Sequence, residues 1–249
     1  MKLESKVAIV TGAGRNIGEE IAKRFAAEGA RVAVVDLDKG RGEKVAAEIN
    51  AAHKDRALAV VCDVSSAADV EKMVRTVDEK WRCGIDILVN NAAWTDRKNI
   101  FDLTEEEWDK VMGVTLKSVF LCVKSVARVM VDHKRKGCIV NIASTSGYVG
   151  RPDATAYTAA KGGVLNLTRS LAVQLAPHGI RVNSVTPNRI GSPVGEDAVP
   201  ENRYVKNLVG RKGVPADVAA AVLFFCLEES DFITAADLLV DGGALAVMS

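Results

Sequence analysis

The chain has 249 residues, room for one large domain or two small ones, and 48% of them are hydrophobic but only 5% aromatic. A core made mainly of Ala, Val, Ile and Leu suits parallel strands covered by helices on both faces. The 33 basic and 32 acidic residues leave a net charge of +1, which excludes the electrostatic footprint of a nucleic-acid binder, and no apolar run approaches the ~20 residues of a membrane span.

Short β-rich runs occur at residues 7–11, 31–36, 57–62, 86–90, 138–143, 180–186 and 238–241. Several are nearly unbroken in Val, Ile, Leu and Ala, as strands buried on both faces are. Helical periodicity fills the gaps, for example at 17–28 and 70–81. Such alternation predicts right-handed crossovers and an α/β fold. The expectation is a single domain, 1–249, built as a Rossmann-like, doubly wound parallel sheet of seven strands with helices on both faces. The irregular segment 187–214 holds Pro193, Pro200 and four glycines and reads as a substrate loop or lid, with a short helix at about 201–208. The first strand starts at Val7, which leaves no room for a signal peptide and predicts a cytoplasmic chain. Cys62, Cys83, Cys122, Cys138 and Cys226 form no C-x-x-C pair and are expected to be reduced. With only His53, His133 and His178, far apart, no metal site is expected.

After the first strand comes Thr11-Gly12-Ala13-Gly14-Arg15-Asn16-Ile17-Gly18, leading into a helix. Glycines in such a turn let the backbone approach a pyrophosphate, and the helix N-terminus offers unpaired N–H groups. Position 17 is Ile, so the plain G-x-G-x-x-G pattern fails, and a tight strand–helix turn alone would read the same way. Asp36, at the end of the second strand and 18 residues beyond Gly18, is placed to accept hydrogen bonds from an adenosine ribose and to repel a 2′-phosphate. A strand-end turn residue is the bland alternative. Two signals at compatible spacing favour the dinucleotide.

From these residues on, the sequence resembles the short-chain dehydrogenase/reductase family, over about residues 6–243. The family's T-G-x-x-x-G-x-G turn matches Thr11 to Gly18, and its adenine-contacting Asp matches Asp63, followed by Val64. Its N-N-A-G segment matches Asn90-Asn91-Ala92-Ala93, its catalytic Ser matches Ser144, and its Y-x-x-x-K matches Tyr157 to Lys161. The P-G loop matches Pro187-Asn188, and V-D-G-G stands intact at Val240 to Gly243. The chain departs from the pattern at Asn16, Ala93, Asn188 and Ala235, and Thr115 stands where the family has a catalytic-helix Asn.

The resemblance implies an NAD(P)-dependent oxidoreductase that interconverts a secondary alcohol, sugar or other hydroxy compound and its ketone. Ser144, Tyr157, Lys161 and, in place of the Asn, Thr115 would form its catalytic set. The implied cofactor is NAD rather than NADP, held by Gly12, Arg15, Asn16, Ile17, Gly18, Asp36, Leu37, Asp63, Val64, Asn91, Ala92, Ala93, Tyr157, Lys161, Pro187, Ile190 and Ser192. The partners implied are a small-molecule alcohol or ketone and, through helices near 104–136 and 154–176 and strand 238–240, three further copies in a homotetramer. Two alternatives stand beside this: a non-catalytic dinucleotide-binding regulatory protein, and an NADPH-dependent 3-oxoacyl reductase.

The side chains carry the chemistry independently. Tyr157 and Lys161 stand at i and i+4 and share one helix face. A phenol of ordinary pKa ~10 is a poor base at neutral pH; a nearby ammonium is expected to lower it and make Tyr157 a general base for oxidation or a general acid for reduction. Ser144, 13 residues earlier at a strand's carboxyl end, is placed to donate to the substrate oxygen. The resemblance further implies that Trp94, Tyr148, Val149, Arg151, Arg189, Tyr204 and Leu208 surround the substrate, with Arg151 or Arg189 available to an acidic group.

Overall fold

The computed structural model describes residues 1–188, 190 and 207–247. All five residues of β1 (Val7–Thr11) are buried, as are the middle four of β2 (Arg31–Asp36), because each strand is covered on both faces. Alternate side chains serve opposite layers, as the two-residue period of a strand requires. Ala8, Val10, Val32, Val34, Val89 and Val140 pack on one side, with Ile21 and Phe25 of α1 (Asn16–Ala27) and Val222 of α7 (Pro215–Cys226). Val7, Ile9, Ala33, Leu88 and Ile139 face the other side, with Met73 of α3 (Ala67–Trp81), Val123 of α5 (Ser118–Asp132) and Val164 of α6 (Thr155–Leu175).

The remaining strands are β3 (Ala57–Val61), β4 (Ile87–Asn90), β5 (Cys138–Ile142), β6 (Arg181–Pro187) and β7 (Asp237–Val240), with α2 (Lys39–Ala52) after β2 and α4 (Glu105–Met112) after β4. All neighbours pair in parallel, in the order β3-β2-β1-β4-β5-β6-β7. The chain runs outward from β1 to β3 and then returns to place β4 against β1. That reversal opens a crevice at the carboxyl ends of β1 and β4, where ligands of open α/β sheets bind.

Each expected strand is found within one residue of its bounds. Asp237 joins β7 because its carboxylate accepts hydrogen bonds from Ser184 Oγ at 2.6 Å and Thr186 Oγ1 at 2.8 Å on β6. The stretch expected as one helix over 104–136 is divided: a π-helical turn at Gly113–Lys117 separates α4 from α5. Residues 201–206 of the expected helix and most of the lid lie outside the described residues, as do Arg189, Ser192 and Tyr204. All five cysteines are free. No helix among the described residues is long and apolar enough to cross a membrane.

Candidate active site

The crevice holds a cleft of about 1240 Å³. At one end, the glycine turn and the end of β2 lock together. Gly14 donates its backbone N–H to Asp36 Oδ2 at 2.8 Å, and Asp38 donates to Oδ1 at 3.0 Å. A Cβ on Gly14 would press against that carboxylate, and one on Gly18 would collide with the Gly12 carbonyl, so neither position admits a side chain. Asn91 Nδ2 donates to the carbonyls of Thr11 at 2.9 Å and Gly12 at 3.0 Å. The Thr11 hydroxyl accepts from the N–H groups of Asn91 and Ala92, which fixes the loop after β4 to the turn. Arg15, the N-cap of α1, makes no side-chain capping bond; a helix N-terminus turned to a cleft is where anions bind. Gly12, Arg15, Asn16 and Ile17 face the cleft, as do Asp36, Leu37, Asp63 and Val64. Gly18 lies beneath, packed against the turn.

At the other end the cleft is walled by Ala92 and Ala93, by Ser144 after β5, by Tyr157 and Lys161 of α6, by Pro187 at the end of β6 and by Ile190 after it. The Tyr157 side chain is 7% exposed and that of Lys161 is 2%. Lys161 Nζ donates to the Ile142 carbonyl at 2.6 Å and stands 5.6 Å from the Tyr157 ring centroid. Burial lowers the Lys161 pKa to about 7. Burial also raises that of Tyr157, while a hydrogen bond with Ser144 and the charge of Arg151 pull it down. The expectation that Lys161 depresses the tyrosine is corrected here: the amine is turned to Ile142 and is itself desolvated, so Ser144 and Arg151 supply the downward pull.

Among the residues expected around the substrate, Trp94, Val149 and Arg151 line the cleft. Arg151 pairs with Asp153 at 3.4 Å. Tyr148 and Leu208 do not line it. Tyr148 Oη donates to Asp237 at 2.8 Å, and Leu208 packs where a Cβ on Gly243 would fall.

The chain as a whole is similar to known proteins. The family model described as enoyl-(acyl carrier protein) reductase matches residues 12–244. Meso-2,3-butanediol dehydrogenase of Serratia marcescens is 40% identical, covering 99% of this chain and 97% of its own. Among solved structures, a short-chain type dehydrogenase/reductase from Mycobacterium marinum superposes with a TM-score of 0.92 at 34% identity, covering 99% and 98%. The 3-ketoacyl-(acyl-carrier-protein) reductase of Brucella melitensis, solved with NADH, has a TM-score of 0.88 at 38% identity, covering 97% and 99%. The chain belongs to the short-chain dehydrogenase/reductase family.

As a member it is an oxidoreductase, and its departures from the family pattern have physical explanations. Asn16 has φ +54°, the left-handed region that Asn tolerates best among non-glycine residues. Asn188 Oδ1 accepts from Thr145 Oγ1 at 3.1 Å and ties the loop after β6 to that after β5. Thr115 is buried in the π turn, where its hydroxyl donates to the Trp94 carbonyl at 2.7 Å and accepts from the Trp94 N–H at 2.9 Å. Ser118 Oγ, just after that turn, donates to the Val114 carbonyl at 2.6 Å. A carboxamide carries the same donor and acceptor pair, so one hydroxyl does at position 115 what an Asn side chain is equipped to do. Thr115→Asn is therefore expected to leave turnover within about twofold or raise it, on the scale of one conserved hydrogen-bond pair. A tenfold fall in kcat for the folded variant would contradict this.

Asp96 was not singled out by the sequence. It is buried, and its carboxylate accepts from the backbone N–H groups of Ala156 at 3.2 Å and Tyr157 at 2.9 Å. The available signal was α6 itself, which begins after Ala154 with no capping side chain.

Proposed function

We propose that this oxidoreductase is an NAD-dependent secondary-alcohol dehydrogenase or ketone reductase, with Tyr157 as its acid/base. The observation that carries the reading is the convergence of Ser144, Tyr157 and Lys161 on one wall of a cleft whose other end is a glycine cradle sealed by Asp36. Gly12, Asn16, Ile17 and the open N-terminus of α1 hold the pyrophosphate, Asp36 and Leu37 the adenosine ribose, and Asp63 and Val64 the adenine. Asn91, Ala92, Ala93, Pro187, Ile190 and Ser192 surround the nicotinamide half. Bound NAD supplies the hydride acceptor for oxidation, and NADH the donor for reduction. Ser144 donates a hydrogen bond to the substrate oxygen. Tyr157 takes the hydroxyl proton in oxidation and returns it in reduction. Lys161 holds the nicotinamide ribose. A non-catalytic protein has no need to keep these three side chains together. Finding no turnover with any of a panel of secondary alcohols, sugars and acyl ketones would overturn the reading.

NAD is preferred over NADP. Two backbone N–H bonds fix the Asp36 carboxylate in the cleft wall, where a 2′-phosphate would meet its charge. Arg41 pairs with Asp38 at 3.7 Å, and Leu37 offers no cation. We expect kcat/KM for NAD to exceed that for NADP by about tenfold or more, equivalent to roughly 1.4 kcal/mol. Equal efficiencies would contradict the assignment. The chain is further proposed to be cytoplasmic and to assemble as a homotetramer. Phe120 on α5, Val173 on α6 and Leu238 and Leu239 on β7 are exposed apolar side chains on the elements expected to pair. Light scattering should then give about four times the 26.5 kDa chain mass, whereas a monomer mass would refute the assembly.

A further inference from the structure

Helix α6 carries Tyr157 in its first turn, where backbone N–H groups have no partner within the helix. Its own sequence does not meet that need. The N-cap residue is Ala154, which makes no capping bond, and the adjacent acid, Asp153, pairs with Arg151. The acceptor comes from the loop after β4. Asp96 places one carboxylate oxygen 3.2 Å from the Ala156 nitrogen and the other 2.9 Å from the Tyr157 nitrogen. Its side chain is buried at the cleft wall, where no flexible surface residue could substitute for it.

The same loop is clamped from its other side. Two residues before Asp96, the Trp94 backbone is gripped at both N–H and carbonyl by Thr115. A continuous strut therefore runs from the π turn through Thr115, Trp94 and Asp96 to the backbone nitrogen of Tyr157. Lys161, one turn further along α6, is secured separately by the Ile142 carbonyl.

We propose that Asp96 is a positioning residue for the reaction: a helix cap supplied from a distant loop, which fixes the first turn of α6 and with it the Tyr157 hydroxyl. This rests on the assignment of Tyr157 as acid/base. A carboxylate at a helix N-terminus is favoured both by hydrogen bonding and by the helix dipole, and removing it frees the first turn to fray. Because a misplacement of ~1 Å at the reacting groups can slow a reaction by about 10²-fold, the effect falls on kcat. The nucleotide end and Lys161 do not depend on this bond, so NAD affinity is unaffected.

The test compares wild type, Asp96→Asn and Asp96→Ala for kcat and alcohol KM at saturating NAD, for NAD Kd by titration, and for thermal stability. We expect kcat to fall by roughly 10- to 100-fold in Asp96→Ala with NAD Kd within twofold. Asp96→Asn should be intermediate, because its carbonyl oxygen keeps one of the two bonds. A kcat within twofold of wild type in Asp96→Ala would overturn the proposal. So would parallel losses of kcat and NAD affinity that track the loss of stability. If Asp96→Ala does not fold, Asp96→Asn decides alone: reduced kcat at unchanged NAD Kd supports the role, and unchanged kcat refutes it. A wild-type protein inactive on every alcohol and ketone would instead sink the acid/base assignment itself.

Discussion

Tyr157→Phe is expected to lower turnover by about 10²–10⁴-fold, the range for loss of general acid/base catalysis, while NAD affinity stays within about twofold. The ring is buried among Val111, Ala154, Ala156 and Ala160, and a phenylalanine keeps that packing. Only the hydroxyl that meets Ser144 is lost, and the glycine cradle, Asp36 and Asn91 are untouched. The pH dependence follows from the same environment. Burial holds the Tyr157 pKa above its ordinary value in the free protein, so the phenol, not the phenolate, predominates at neutral pH. Alcohol oxidation, which needs the base, should therefore accelerate as pH rises, and ketone reduction should be favoured at lower pH. Steady-state rates in both directions check this, and near-normal activity of Tyr157→Phe would show that the active site has been misassigned.

Lys161→Met separates function from stability at one position. Loss of the ammonium removes the proposed ribose contact, so turnover should fall by about 10²-fold or more, as for loss of a preorganised donor, and NAD should bind more weakly. The unliganded protein should respond differently. Lys161 has a folded-state pKa of about 7 against an ordinary 10.5. Between those values the unfolded chain binds more protons, so this group makes the protein more stable as pH rises. Its destabilising effect is complete below about pH 7 and fades towards pH 10.5. Methionine has no such charge, although it leaves the Ile142 carbonyl without its donor at every pH. The Tm of Lys161→Met relative to wild type should thus be more favourable at pH 6 than at pH 9. An offset that does not change with pH, or one larger at pH 9, would contradict a desolvated lysine.

Much of this architecture is legible in the amino-acid order, for physical reasons that differ from element to element. The strands declare themselves because burial on both faces demands unbroken Val, Ile and Ala. The turn at Gly12 to Gly18 is legible because close backbone approach excludes side chains there. Asn16 is also readable in advance, since its residue type tolerates the positive φ that the structure has.

What escapes is whatever depends on contacts between distant segments. The partner of Thr115 is a backbone unit 21 residues earlier, and no helical rule points across that gap. Periodicity runs through the stretch from α4 to α5 without registering the π turn, because one extra residue in a turn barely disturbs the apolar pattern. The spacing of Tyr157 and Lys161 gives a shared face but not the direction of the amine, which the Ile142 carbonyl settles. Tyr148 sits beside the site in sequence yet turns away, because the Asp237 carboxylate on β7 binds its hydroxyl. Asp96 acts on a helix 60 residues downstream, and only the missing cap at Ala154 hints at it.

Hydride transfer from a carbinol carbon to NAD is the central claim, and isotope tracing tests it most directly. The protein would be incubated with NAD and secondary alcohols carrying deuterium on the carbinol carbon, and the NADH formed would be weighed by mass spectrometry. We expect deuterated NADH and ketone in equal amounts, with the label at one face of the nicotinamide and formation suppressed in Tyr157→Phe. NADH free of deuterium, or NAD that binds without reduction by any alcohol while NADH reduces no ketone, would contradict it.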